Sequence, residues 1–119
     1  MLKGAAGFNH IYLACGFTDM RRGIDGLATL IGSKFNLNPY MTDTIFLFCG
    51  KRGDRIKALV YEGDGFVLMY KRLSDGRYQW PRNSSEVKDL TSEEFHRLMD
   101  GFSIVEKKTI KTVNPEIYR

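Results

Sequence analysis

Residues 55–73 read RIKALVYEGDGFVLMYKRL, and this stretch decides the fold that the sequence predicts. Apolar and polar side chains alternate on both sides of Gly63-Asp64, with the period of two that is typical of β-strands. A Gly-Asp pair between two such runs favours a two-residue turn. We therefore predict an antiparallel hairpin with strands at 55–62 and 66–73. In that hairpin the paired residues are Tyr61 with Phe66, Leu59 with Leu68, Lys57 with Tyr70, and Arg55 with Arg72.

The predicted hairpin has a basic face and an apolar face, because alternate residues of a strand point to opposite sides. Asp75-Gly76 is a second turn signal, so a further short strand is predicted at 77–80. The basic face then carries Arg55, Lys57, Tyr70, Arg72, Arg77 and Gln79. The apolar face carries Ile56, Ala58, Val60, Val67, Met69, Leu73, Tyr78 and Trp80. A slip of one residue in either turn would exchange the two faces.

Three more strands are predicted outside the hairpin. Runs of apolar and β-branched residues predict strands at His10–Ala14 and Thr44–Cys49. Residues 102–105, which follow the last predicted helix, form a final candidate strand. The three strands from 44 to 73 are joined by tight loops, which indicates an antiparallel β-meander.

Two helices are predicted from apolar residues at helical spacing. The first spans 19–31, with Thr18 as its N-cap, and its apolar stripe is Met20, Ile24, Leu27 and Ile31. Thr91 and Glu94 have the spacing of a capping box and begin the second helix. The predicted fold is therefore α+β: an antiparallel β-meander of four to six strands with two helices packed on one face.

The length of the chain predicts one domain. At 119 residues it can bury a single core, which we assign to residues 1–105. Residues 106–119 mix charges with Thr and Pro and are expected to be a loosely attached tail. No apolar run approaches the roughly 20 residues of a membrane span, and the first residues lack the apolar core of a secretory signal. These features predict a cytoplasmic protein without a membrane partner.

The sequence offers no convergent set of catalytic or metal-binding groups. Cys15 and Cys49 lie in strand-like surroundings and are predicted to be buried thiols. With His10 and His96 as the only histidines, a zinc site would need ligands from four distant places, so no metal or cofactor is predicted. The carboxylates have structural roles in turns and caps. We therefore predict that the protein is not an enzyme and has no catalytic residue.

Positive charge is concentrated in residues 45–82. This stretch holds eight Lys or Arg, four Asp or Glu, and seven aromatic residues. Cations interleaved with aromatic rings suit a phosphate backbone and exposed bases. The pairing of Arg55 with Arg72 is unfavourable unless an anion lies between them. The alternative interpretation of this stretch is an ordinary sheet edge whose charges are solvated. The candidate nucleic-acid-binding residues are Lys51, Arg52, Arg55, Lys57, Tyr70, Arg72, Arg77 and Gln79.

Five ordered motifs resemble a known family. They are TDMRRGIDGL at 18–27, RGDRIK at 52–57, GDGF at 63–66, YKRL at 70–73 and GRYQWP at 76–81. With these motifs the chain resembles the TnpB-type accessory proteins, encoded by the second open reading frame of the insertion-sequence-sixty-six family of bacterial mobile elements. The resemblance implies a small protein needed for transposition beside a separate, larger transposase. It supplies no catalytic residues.

Two functions are compatible with the sequence. In the first, the protein supports transposition by binding nucleic acid, foremost the DNA of its element, through the basic sheet face and the Lys51-Arg52 loop. In the second, it is a protein-interaction module that docks on the transposase without binding DNA, with aromatic residues as anchors. The expected partners are therefore nucleic acid and the transposase, and the sequence leaves the oligomeric state open.

Overall fold

The computed structural model of the protein describes residues 2–104 and shows the predicted α+β fold. A short 3₁₀ helix at Leu2–Gly7 precedes five strands and two α-helices. In chain order these are β1 (His10–Ala14), α1 (Ile24–Ser33), β2 (Thr44–Cys49), β3 (Arg55–Tyr61), β4 (Phe66–Arg72), β5 (Val87–Asp89) and α2 (Ser92–Met99). The predicted tail, 106–119, lies outside the described residues.

The five strands form one mixed sheet in the order β4-β3-β2-β1-β5. The predicted meander is confirmed for β2, β3 and β4, and β1 pairs antiparallel with β5. However, β1 runs parallel to β2, with Ile11 beside Ile45 and Leu13 beside Leu47. The prediction of a purely antiparallel sheet is therefore wrong. The connection between β1 and β2 contains α1, which is the kind of crossover that parallel neighbours require.

The predicted register of the β3–β4 hairpin is confirmed. Lys57 pairs with Tyr70, and Arg55 pairs with Arg72. The turn is closed by a hydrogen bond of 2.8 Å from the Glu62 N–H to the Gly65 carbonyl. Gly63 has a φ of 94°, a conformation that favours glycine. Because the turn contains two residues, each side chain of the hairpin falls on the face that the sequence assigned to it.

The two helices pack on opposite faces of the sheet, so the prediction that they share one face is wrong. Leu27 and Ile31 of α1 pack in one core cluster, and Phe95 and Leu98 of α2 pack in the other. The core residues on the α1 side include Phe46, Phe48 and Leu59, and those on the α2 side include Ile45, Leu47, Ile56 and Ala58. Every residue of β2 is buried because both of its faces are covered.

Helix α1 begins later than the apolar spacing predicted. Its N-cap is Gly23, whereas Thr18 lies upstream and donates its N–H to the Cys49 carbonyl at 2.8 Å. Residues 19–22 form a turn instead, closed by the Arg22 N–H and the Asp19 carbonyl at 3.1 Å. The Asp19 side chain also accepts from the Arg21 backbone N–H. This local bonding competes with the helix, as is common for Asp.

Helix α2 confirms its predicted capping box. The Thr91 hydroxyl accepts from the Glu94 N–H at 3.1 Å, and the Glu94 carboxylate accepts from the Thr91 N–H at 2.9 Å. Phe95, Leu98 and Met99 are buried, as their spacing predicted. After the helix, residues 102–104 form no strand, and residue 105 of the predicted strand lies outside the described part.

Residues 77–80 do not form the predicted strand. The last hydrogen bond of the hairpin is donated by the Leu73 N–H to the Asp54 carbonyl. The chain then crosses the end of the sheet. The Tyr78 N–H donates to the Gly53 carbonyl at 2.8 Å, and the Trp80 indole N–H donates to the Ala14 carbonyl at 2.8 Å. Tyr78 and Trp80 are buried in the α2-side core. Their burial explains the alternating pattern that resembled a strand.

We expect Trp80→Phe to lower the free energy of unfolding by about 1–3 kcal/mol, because the Ala14 carbonyl would lose a buried donor. Urea denaturation followed by circular dichroism measures this change. The control is Gln79→Ala, since Gln79 is exposed beside Trp80 and its loss should change stability by no more than about 0.5 kcal/mol. Equal stability of Trp80→Phe and the parent would contradict the role of this hydrogen bond.

Candidate nucleic-acid interface

Most of the predicted binding residues gather at one end of the sheet. Lys51 and Arg52 lie in the β2–β3 loop, Arg55 begins β3, and Arg72 ends β4 beside it. Lys57 and Tyr70 form a neighbouring pair on the same face, and Arg77 lies against Gly53 of the loop. We call this group the cationic end, and its members are Lys51, Arg52, Arg55, Lys57, Tyr70, Arg72 and Arg77.

A cleft opens at the cationic end. Its volume is about 360 Å³, and it lies between residues 17–20 and the β2–β3 loop. Lys51, Arg52 and Arg55 line one side of the cleft. The Arg82 guanidinium supports the loop from outside the cleft by donating to the Gly50 carbonyl at 3.0 Å. This contact of Arg82 could not be predicted from a local motif, because it joins residues that are far apart in the chain.

The cationic end has few carboxylate partners. Among residues 2–104, no carboxylate lies within 4.0 Å of the charged groups of Lys51, Arg52, Lys57, Arg72 or Arg77. Arg55 is the exception, since its Nε lies 3.7 Å from Asp54 Oδ1. Within the described part of the chain, neither of these two atoms has a hydrogen-bond partner. Asp54 therefore offsets part of the repulsion between Arg55 and Arg72 but does not neutralise the group.

Lys57 also has a structural contact. Its Nζ donates to the Arg22 carbonyl at 2.9 Å and lies 5.8 Å from the centre of the Tyr70 ring. The first contact ties β3 to the residue before the N-cap of α1. The second places a cation beside a ring that is 52% exposed. Lys57 is thus fixed in position by the fold while Tyr70 faces solvent.

Phe17 is a member of this surface that the sequence did not predict. Its side chain is 60% exposed, and Lys51 Nζ lies 6.0 Å from its ring centre. Phe17 follows Gly16, which has a φ of 79°, so the chain turns away from the core at this point. The sequence feature that could have predicted its exposure is a bulky aromatic residue next to a glycine, just after the end of a strand. The cationic end therefore carries two exposed rings, each with a lysine beside it.

Gln79 is not on the cationic end, and its predicted place on the basic face of the sheet is wrong. It lines a separate cavity of about 450 Å³ together with Trp80, Arg82 and Lys88. The reason is that residues 77–80 leave the hairpin rather than extend it. The site residues of the β3–β4 hairpin lie on the predicted basic face, because the Gly63-Asp64 turn has the predicted length.

Asp19 and Arg21 form an exposed ion pair at the rim of the cleft. Arg21 Nη2 donates to Asp19 Oδ2 at 2.8 Å, and Nε donates to Oδ1 at 3.0 Å. The hydrogen bonds from the Arg21 side chain and backbone lower the pKa of Asp19 from 3.8 to about 2. Arg21 is therefore a cation with a close carboxylate partner, whereas within residues 2–104 only Arg55 of the cationic end has a carboxylate within 4.0 Å.

Metal ligands, thiols and membrane-spanning helices are the remaining features that bear on function. Within the described residues no three His, Cys, Asp or Glu side chains lie close enough to hold a metal ion. Cys15 and Cys49 are buried, as predicted, and burial raises the pKa of Cys49 to about 11. Its thiol is therefore protonated at neutral pH. No helix in residues 2–104 is long and apolar enough to cross a membrane.

Comparison with known proteins identifies the family. The family model described as "IS66 Orf2 like protein" matches residues 9–109. The chain belongs to this family. The matched residues include the whole cationic end, and the family assignment agrees with the resemblance carried by the motifs at 18–81. Membership in the IS66 Orf2 like family supports an accessory role in transposition.

Two relatives come from Sinorhizobium fredii (strain NBRC 101917 / NGR234). "Uncharacterized protein y4jC" is 36% identical over 95 residues, which cover 78% of this chain and 80% of the relative. "Uncharacterized protein y4hO" is 32% identical over 91 residues, which cover 76% of this chain and 78% of the relative. No solved structure matches the chain.

We expect Arg21→Gln to raise the pKa of Asp19 from about 2 toward 3.8, because the Arg21 side-chain hydrogen bonds are the largest cause of the shift. A carboxyl whose pKa is lowered by folding stabilises the folded state above its unfolded pKa, and this contribution is lost as pH falls through about 2. Carboxyl NMR titration measures the change.

Arg22→Gln is the matched control for this titration. It removes the neighbouring guanidinium, which has only a small influence on Asp19, and should leave the pKa of Asp19 low. An Asp19 pKa near 3.8 in the parent protein would contradict the ion pair.

Proposed function

We propose that the protein is a non-catalytic accessory factor of transposition that binds nucleic acid, foremost the DNA of its element, through the cationic end. The observation that carries this proposal is a set of cations of which, among residues 2–104, only Arg55 has a carboxylate within 4.0 Å. These cations lie near two exposed rings that each have a lysine beside them. Phosphates would neutralise the cations, and the rings would contact bases or sugars.

The Arg55–Arg72 pair supports an anionic ligand. The two residues are directly opposite in neighbouring strands, where like charges are unfavourable. Asp54 approaches Arg55 only to 3.7 Å, and no carboxylate of residues 2–104 reaches Arg72. A bound phosphate would accept hydrogen bonds from both guanidinium groups. The ligand would then supply the charge that the described part of the chain does not.

The exposed rings favour a ligand with accessible bases. Phe17 lines the cleft together with Arg55, and Tyr70 lies on β4 beside Lys57 and two residues from Arg72. Stacking of a base on an aromatic side chain contributes about 1–3 kcal/mol and tolerates any sequence. Single-stranded or distorted DNA offers such bases, whereas an intact duplex keeps them stacked. We therefore favour binding at unpaired or opened DNA.

A second candidate function is docking on the transposase, and one observation favours it. Tyr40, Tyr61 and Phe66 form an aromatic cluster at the other end of the hairpin, with ring centres 4.9–5.3 Å apart. Tyr40 is 58% exposed. Exposed aromatic residues often anchor protein interfaces. Such a contact would resist salt, whereas phosphate binding weakens as salt increases.

The absence of catalysis is part of the proposal and rests on where the carboxylates are. Asp19 pairs with Arg21, and Glu94 caps α2. Asp75 accepts from the Gly76 N–H within its turn. Each of these groups is engaged in local structure. Asp19 and Asp54 both line the cleft, but each has an arginine beside it, Arg21 and Arg55 respectively. Binding rather than chemistry is therefore the proposed activity of the cationic end.

We expect Arg72→Ala and Arg55→Ala to weaken DNA binding and to lower the salt dependence of log affinity by roughly one unit each. Fluorescence anisotropy with the end sequences of the element, at several salt concentrations, measures both effects. The matched control is Lys34→Ala, which removes one exposed cation at the opposite end of α1. If all three variants bind like the parent, the cationic end is not the DNA site.

We expect Phe17→Ala and Tyr70→Ala each to weaken binding of single-stranded DNA by about 1–3 kcal/mol, through the loss of one stacking contact. Both rings are exposed, so melting temperatures should remain close to that of the parent. Tyr40→Ala is the control, because it removes an equally exposed ring far from the cleft. Equal losses for Tyr40→Ala and the other two variants would show that the rings act without a defined site.

A further inference from the structure

Strand β4 is the outer strand of the sheet, and no other strand of residues 2–104 pairs with its outer edge. The Gly65 carbonyl and the Leu73 N–H both bond toward β3, so the odd-numbered residues of β4 direct their backbone groups inward. The residues that direct their backbone groups outward are Phe66, Leu68, Tyr70 and Arg72. Within residues 2–104, no backbone hydrogen bond outside the β3–β4 ladder reaches these residues.

The free edge is apolar at one end and basic at the other. Residues 66–69 read FVLM and residues 71–72 read KR, with no acidic residue in the strand. Free edges are usually protected by charges, proline or a bulge. Only the C-terminal end of β4 has such protection. The other end can pair with an added strand.

We propose that a second copy of this chain pairs with this edge, β4 to β4 and antiparallel, so that the two sheets become continuous. With a twofold axis at Met69, Phe66 pairs with Arg72 of the second copy, and Leu68 pairs with Tyr70. All the outward-facing residues then exchange hydrogen bonds. Each basic end meets an aromatic or apolar residue of the other copy, and no two like charges are opposite.

The charges of β4 favour a second copy of the chain as the partner and an antiparallel orientation of the two strands. A parallel arrangement of two β4 strands would bring Lys71 and Arg72 of both copies together. An antiparallel register with its axis at Tyr70 would leave Phe66 outside the ladder. The register at Met69 uses the full strand and separates the cations. A self-complementary edge of this kind fits a twofold dimer.

The pairing would also extend the surface of the cationic end. The side chains of Leu68, Tyr70 and Arg72 share a face with Lys57 and Arg55, and antiparallel edge pairing puts this face of both copies on the same side. The dimer would therefore present two cationic ends on one surface. The edge pairing itself needs no DNA, so it can be tested separately from the proposed function.

Cysteine cross-linking tests the register. At the proposed axis the two Met69 residues form a pair without hydrogen bonds, with Cα atoms about 4.5 Å apart, which is within disulfide range. Met69→Cys should therefore give a disulfide-linked dimer under mild oxidation. Val67→Cys is the matched control on the same face, because its two copies would lie roughly 14 Å apart. The native cysteines are buried and should not contribute.

The result for Val67→Cys is decisive because Val67 is 38% exposed, whereas Met69 packs against the core. Random collisions would cross-link Val67→Cys more readily than Met69→Cys. We expect the reverse, with a covalent dimer for Met69→Cys only. Equal cross-linking of both variants, or cross-linking of Val67→Cys alone, would overturn the proposal.

Sedimentation of the unmodified full chain tests the dimer directly. We expect the mass to double with rising concentration and in the absence of DNA. Leu68→Pro removes an outward-facing N–H, a change that edge strands tolerate, and should abolish this doubling while the circular dichroism spectrum is kept. A parent protein that stays monomeric, as it would if this edge receives a strand of the transposase, would overturn the proposal. If Leu68→Pro fails to fold, the parent and the two cysteine variants decide the question.

Discussion

The burial of β2 on both of its faces is the constraint on which the rest of the structure depends. A strand that reads TIFLFC has no polar face, so it is stable only between two covering layers. Helix α1 covers one side and α2 the other. The parallel pairing of β1 with β2 leads to the same arrangement, because the crossover that joins them must cross one face of the sheet and brings α1 with it.

The position of α1 decides where a ligand surface is available. Helix α1 covers the middle of the face that carries Lys57 and Arg55, so the accessible part of this face is the end beyond Gly23. There the β2–β3 loop and the segment after β1 enclose the cleft. The hydrogen bond from Lys57 to the Arg22 carbonyl joins the helix to this end. The fold thus places the cations of the cationic end beyond the part of the sheet that α1 covers.

The parts of the fold that were predicted correctly are those governed by local chemistry. A two-residue turn at Gly63-Asp64 determines the register of the whole hairpin, and the Thr91–Glu94 capping box needs only residues four apart or fewer. Apart from the start of α1, which local hydrogen bonds of Asp19 delay, the errors involve contacts between distant segments. Tyr78 and Trp80 alternate like a strand, but Trp80 reaches Ala14 across the molecule. The sides on which the helices pack depend on the β1–β2 pairing, which no short motif reports.

The same distinction applies to the candidate site. The turn chemistry was enough to place most of the cationic end, including Arg55 and Arg72. Gln79 was misplaced together with the 77–80 segment, and Phe17 was not predicted. Stability comes from buried residues such as Leu59 and Ile56, which have no exposed surface, while the cations of the site are at the end of the sheet. Because the two sets barely overlap, substitutions of these cations should cause little loss of stability. Lys57 is the exception, since its contact with Arg22 couples the site to the helix.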